Sequence, residues 1–125
     1  MINIVGQGSI LWVSDFTLMC EFYENTLGLL PALGDRVDGW MPFQVGSGTF
    51  ALHAIPAAYQ DNAELEGSSI RWDSPTKHVF YVSDLTAAMT HLNERGVTRA
   101  PGDQLGEGYA DFVDPEGNVF QIAAI

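Results

Sequence analysis

The sequence predicts an α+β fold made from one unit used twice, a βαβββ module. Three observations carry this expectation. Val13-Ser14-Asp15 recurs as Val82-Ser83-Asp84. Each copy follows an apolar, aromatic stretch, Ile10-Leu11-Trp12 in the first and Val79-Phe80-Tyr81 in the second. Each copy also runs into a helical pattern that closes near a glycine, Gly28 and then Gly96. Self-similarity at a fixed offset marks a repeated supersecondary unit.

Segments 8–13 and 78–82 are rich in β-branched and aromatic residues and open each module as a strand. Asp15 and Asp84 stand where a helix N-cap belongs. Met19, Phe22, Tyr23 and Leu27 form an apolar stripe at helical spacing, and Leu85, Ala88, Met89 and Leu92 form its counterpart. Gly28 and Gly96 suit the left-handed residue after a helix. Strands follow at 40–45 and 49–55 around Gly46-Ser47-Gly48. In the second module they fall at 108–113 and 118–124, around Asp114-Pro115-Glu116-Gly117-Asn118. Segments near 34–37 and 97–100 supply one more strand each. Residues 56–76 match nothing elsewhere and carry Pro56, Asp61, Asn62, Gly67 and Pro75, so they read as a connector with room for a short helix. The expected organisation is one domain over 1–125, with modules at 1–55 and 77–125.

Composition narrows the partners. The 125 residues carry a formal net charge of −11. The five cations, Arg36, Arg71, Lys77, Arg95 and Arg99, are scattered, which argues against nucleic acid and against an anionic membrane surface. No apolar run approaches the roughly 20 residues of a membrane span. The N-terminus lacks a basic segment, so the expected location is the cytoplasm. The single cysteine, Cys20, excludes an internal disulfide and a cysteine-based zinc site, and reads as a small buried helical residue.

With Val13-Ser14-Asp15, Phe22-Tyr23, Leu27-Gly28-Leu29, Val82-Ser83-Asp84-Leu85 and Asp114-Pro115-Glu116-Gly117-Asn118 in that order, the chain resembles the vicinal oxygen chelate superfamily. That group includes glyoxalase I, bleomycin-resistance proteins and extradiol dioxygenases. The resemblance spans nearly everything outside the connector. It implies two modules forming a curled mixed sheet around a concave cavity, and it implies a homodimer. In metal-dependent members four cavity side chains hold a divalent ion. Two lie seven residues before the aspartates that open the helices, here Gly8 and Lys77. Two lie in the last strand of each module, here His53 and Gln121 when Ala51-Leu52-His53 is matched with Val119-Phe120-Gln121.

The family usually has His or Gln at the first pair and Glu at the second. Glycine has no donor atom, a lysine ammonium has no lone pair, and glutamine offers only a neutral amide oxygen. His53 alone does not make a site. The resemblance therefore implies a protein without the family's divalent metal, and no other cofactor is expected. A one-residue slip would bring His78 to the ligand position, but it would also turn Val79 and Tyr81 to the other face. His91 reads as a partly exposed helical residue.

Strand parity gives the cavity lining: Ile10 and Trp12, Val79 and Tyr81, with Ala51, Val119 and the polar Lys77, His53 and Gln121. Each also has a plainer role. Trp12 and Tyr81 fit a filled core, His53 the end of an edge strand, Lys77 a side chain snorkelling to solvent, and Gln121 the partner of a buried backbone group. Lys77, the sole lysine, falls where the resemblance expects a metal's charge, and so is expected to draw an anionic or carbonyl-bearing ligand. The acidic chain favours cationic ligands instead. The leading functional expectation is a bleomycin-resistance-like binder of a drug or metabolite, with antibiotic resistance as its setting. The alternative is a lyase, isomerase or dioxygenase with a non-standard site, His53 acting as base and Lys77 as electrophile. A third is a dimer without a ligand. Trp40, Met41, Phe43 and Trp72 lie outside the clearest core stripes and are the hints of a dimer surface.

Overall fold

A computed structural model describes residues 1–32, 37–60, 70–101 and 108–125. The chain divides into two compact units, Met1–Leu65 and Glu66–Ile125, and the division falls inside the 56–76 connector. Each unit holds a four-stranded mixed sheet, so the α+β expectation holds.

The first unit runs β1 (Gly8–Val13), α1 (Phe16–Glu21), a π-helical turn (Phe22–Thr26), β2 (Leu30–Pro31), β3 (Trp40–Val45) and β4 (Gly48–Ala54). The strand order is β1-β4-β3-β2. β1 and β4 pair in parallel, and the other pairs are antiparallel. A parallel pair needs a crossover, which the helix provides. Asp15 starts it as the sequence predicts: its Oδ1 accepts from the Leu18 backbone N–H at 3.1 Å. The helix then widens. Leu27 N–H donates to Phe22 O, five residues back, at 2.8 Å. Phe22 and Tyr23 are buried as the stripe predicts, while Leu27, beyond the widened turn, is only half-buried and leaves it. The core beneath comprises Val13, Met19, Tyr23, Met41, Phe43, Phe50 and Leu52. Met41 and Phe43, expected at a dimer surface, are core residues because β3 alternates and turns Trp40 and Pro42 to the other face.

An additional strand of this unit is Leu30–Pro31, upstream of the 34–37 segment where one is expected. Residues 34–36 lie outside the described residues, and Val37 makes one isolated bridge to Trp40. Pro31 has no N–H to give, and β2 is an edge strand, where proline is tolerated. In the described part of the connector Ala57–Tyr59 form a 3-10 turn, and residues 61–69, which also belong to the connector, lie outside the described residues.

The second unit repeats the plan with β5 (His78–Val82), α2 (Leu85–Glu94), β6 (Thr98–Arg99), β7 (Tyr109–Val113) and β8 (Val119–Ala124), in the order β5-β8-β7-β6. Asp84 Oδ1 accepts from Ala87 N–H at 3.0 Å, capping α2 as Asp15 caps α1. Gly96 takes a φ of +72°, the left-handed value that ends a helix without a Cβ clash. The core is Phe80, Leu92, Ala110, Phe112, Phe120 and Ile122. The end of the connector is tied to the β7–β8 turn, where Arg71 N–H donates to Gly117 O at 2.8 Å and Arg71 Nε–H to Glu116 O at 3.0 Å. Among the described residues no helix is long and apolar enough to cross a membrane.

Candidate functional site: two open sheet faces

In each unit the helix packs on the last strand and covers one face of the sheet. The alternation of β1 defines the opposite face: Val13 is fully buried, while Ile10 and Trp12 are each 54% exposed. Register then fixes their neighbours. Trp12 lies opposite His53, and His53 opposite Trp40; Ile10, Ala51 and Pro42 form the next row. The His53 ring centroid is 4.6 Å from Trp12 and 5.7 Å from Trp40, so an imidazole fills the space between two indoles. His53 Nδ1 lies 2.8 Å from Ala54 O. A carbonyl can only accept, so Nδ1 carries the proton and Nε2 holds the lone pair in the neutral ring. β4 lies between β1 and β3, so His53 is on an inner strand and not at an edge.

The second unit presents the matching face. Tyr81 is 67% exposed and lies opposite Ala123, which lies opposite Tyr109. The next row is Val79, Gln121 and Asp111, followed by Val119 and Val113. Lys77 directly precedes β5, at a position whose parity matches Val79 and Tyr81. Its Nζ sits 3.1 Å from Asp111 Oδ2, and Gln121 Nε2 donates to Asp111 Oδ1 at 3.0 Å. One carboxylate therefore joins Lys77 to Gln121. The Lys77 charge is not the unmatched cation expected from its position.

Sequence reasoning missed Asp111, Tyr109 and the place of Trp40. Alternation within 109–113, matched to the 118–124 strand, is the signal that would have found the first two. The registers also revise one correspondence. Ala51 lies opposite Ile10 as Gln121 lies opposite Val79, so Ala51 is the counterpart of Gln121, and His53 is the counterpart of Ala123.

By these registers the positions where the resemblance expects metal ligands hold Gly8, Ala51, Lys77 and Gln121. A side chain at position 8 would run into the Thr49 hydroxyl. Lys77 already faces Asp111, and among the described residues no three His, Cys, Asp or Glu side chains gather to hold an ion. This set does not fit a divalent metal.

His78 is outside the open face. It lies opposite Phe120, on the side of the buried aromatics, so the slipped register is not adopted. Burial lowers its pKa from the ordinary 6.5, and the nearby Asp114 charge partly opposes the shift. The unfolded chain takes up this proton near 6.5 and the folded chain only at lower pH, so protonation favours unfolding. The contribution of neutral His78 is intact above 6.5 and is lost as pH falls from there through the folded value. Urea unfolding at stepwise pH should show wild type losing stability below 6.5 faster than His78→Gln; parallel curves would contradict this.

Two βαβββ units of this pairing, with helix-covered cores and open faces lined by aromatics, define the class: small α+β proteins built on a duplicated module. The chain belongs to the Glyoxalase/Bleomycin resistance protein/Dioxygenase superfamily, whose model matches residues 3–122. No curated protein matches it significantly. Among solved structures it is similar to TnmS3, an antibiotic binding protein from Streptomyces sp. CB03234, with 20% identity over 99% of this chain and 98% of that one and a TM-score of 0.69. It is also similar to the integron cassette protein VCH_CASS1 from the mobile metagenome of V. Cholerae, with 24% identity over 99% and 97% and a TM-score of 0.68. A superfamily member from Sphaerobacter thermophilus DSM 20745 aligns over the whole of both chains at 20% identity and a TM-score of 0.68.

Proposed function

We propose that the protein is a metal-free small-molecule-binding protein of the bleomycin-resistance kind, holding a flat drug or metabolite against an open sheet face. The observation that carries this reading is the exposure of Trp12 and Tyr81 on faces turned away from the helix-covered cores. Large rings in a core are buried, and rings left accessible in ordered strands are what ligand sites use. The unsuitable donor set at Gly8, Ala51, Lys77 and Gln121 supports a metal-free state. His53 bonds a backbone carbonyl, not a carboxylate, which favours binding over general-base chemistry. A structural relative named as an antibiotic binding protein is in keeping with this reading. We place the protein in the cytoplasm as a homodimer, which light scattering tests.

A thermal-shift screen of aromatic antibiotics and metabolites, with and without a chelator, tests the function. The expected result is stabilisation by a flat ligand, unchanged by the chelator and without product formation. At a ligand concentration 100-fold above Kd the stabilisation should reach about 2.7 kcal/mol. Stabilisation that requires metal, accompanied by turnover, would establish the superfamily's enzymatic chemistry instead.

A further inference from the structure

We infer that the open face of the second unit carries a slot for one flat ring, floored by Ala123 between Tyr81 and Tyr109, and that its ligand is a planar aromatic molecule with a hydrogen-bond donor and no negative charge. This deepens the proposed binding function and rests on it.

The two units supply the comparison. In the first, the row across β1, β4 and β3 reads Trp12, His53, Trp40. In the second, the row across β5, β8 and β7 reads Tyr81, Ala123, Tyr109. The outer positions are aromatic in both. The middle one differs: His53 places a ring between the indoles, at centroid distances of 4.6 and 5.7 Å, whereas Ala123 contributes one methyl group. Neighbouring strands lie about 4.8 Å apart, so the outer residues of such a row stem from backbones roughly 10 Å apart. That span accepts one ring between two others, as the first unit does with its own imidazole. Ala123, 8% exposed, lies low at the floor, while Tyr81 stands open to solvent.

The adjacent row selects the ligand. Asp111 as a carboxylate has no proton to give, so the Gln121 amide must turn its N–H toward it. The Gln121 oxygen is left as an acceptor on this face, and among the described residues no hydrogen bond reaches it. Lys77, the only lysine, is matched by Asp111, so it offers an anion no unpaired charge. A chain of net charge −11 repels anions at longer range as well. A donor on a neutral or cationic flat ring satisfies all three conditions.

Two probes with the same ring system test this: proflavine, a cationic acridine with amino donors, and acridine-9-carboxylate. Binding is read by fluorescence titration, with circular dichroism checking the fold of each variant. Wild type should prefer proflavine by about tenfold or more. Tyr81→Ala, at an exposed position, and Ala123→His, which copies the first unit, should each weaken proflavine binding by about tenfold. Asp111→Asn, which unpairs Lys77, should narrow the preference for proflavine, and an unchanged preference would overturn the part assigned to the Lys77–Asp111 pair. Preference for the carboxylate by wild type would overturn the ligand class. Proflavine binding that is lost with Trp12→Ala but unaffected by Tyr81→Ala and Ala123→His would overturn the slot while leaving the binding function intact. Binding of neither probe by wild type would overturn the slot, and failure of the wider ligand screen as well would remove the binding function itself.

Discussion

Phe120→Ala is expected to destabilise the second unit by about 4 kcal/mol, the largest effect of any single change considered. Phe120 is 1% exposed and lies in the middle of an aromatic layer. Its ring centroid is 6.2 Å from Phe80 in an edge-on arrangement and 6.0 Å from Phe112 in a stacked one. Truncation removes the transfer energy of the ring and leaves a cavity that two flanking rings, fixed on separate strands, cannot collapse to fill. Phe120→Leu keeps most of the volume and should cost about 1.5 kcal/mol or less. Urea unfolding measures both. A Phe120→Ala loss under about 1 kcal/mol would mean that this layer is not the core of the unit.

Asp114→Ala is expected to cost about 3 kcal/mol, through polar groups and not through packing. The carboxylate is buried, with 4% exposure, yet it is well provided with donors. Its Oδ1 accepts from the backbone N–H of Glu116 at 3.0 Å and of Asn118 at 2.9 Å, and the Asn118 side-chain amide reaches Oδ1 at 3.1 Å and Oδ2 at 2.9 Å. Alanine strips these donors of their acceptor inside a turn that joins two core strands, whereas asparagine retains one oxygen and should fall between. A shift in melting temperature on the order of 10 °C is the expected readout for alanine. Asp114→Asn should also lower the His78 pKa further, since it removes the charge that raises it. A melting temperature unchanged in Asp114→Ala would show that the turn forms without this carboxylate.

Much of this architecture is readable before any coordinates. The Val-Ser-Asp repeat locates both strand-to-helix junctions because the aspartate has a physical task there, bonding Leu18 N–H in one unit and Ala87 N–H in the other. Parity along β1 and β5 gives the faces, since the strand period is two. That same period hides what parity cannot see. Matching Ala51-Leu52-His53 to Val119-Phe120-Gln121 satisfies alternation as well as a match shifted by two residues, and only the cross-strand register shows that Ala51 answers Gln121. Asp111 escapes notice because a lone carboxylate on an alternating strand has the pattern of a solvated one, and its pairing with Lys77 spans 34 residues of sequence. The π-helical turn at Phe22–Thr26 is invisible for another reason: an α-helical stripe through Met19, Phe22 and Tyr23 predicts nearly the same buried set. Met41 and Phe43 stand outside the helical stripes, and alternation over 40–45 leaves either set of positions free to face the core; burial shows that Met41 and Phe43 do, with Trp40 and Pro42 on the other face.

The proposed function turns on whether the chain holds a divalent metal. At the positions where the resemblance expects ligands stand Gly8, Ala51, Lys77 paired with Asp111 and Gln121 bonded to the same carboxylate, and in the proposed reading the aromatic faces do the binding instead. The direct measurement is the content of Zn, Ni, Fe and Mn in protein purified without chelator, counted per chain and repeated after dialysis against each metal. The account predicts far less than one equivalent of any of them in both preparations. One equivalent per chain that survives dialysis into metal-free buffer would contradict it.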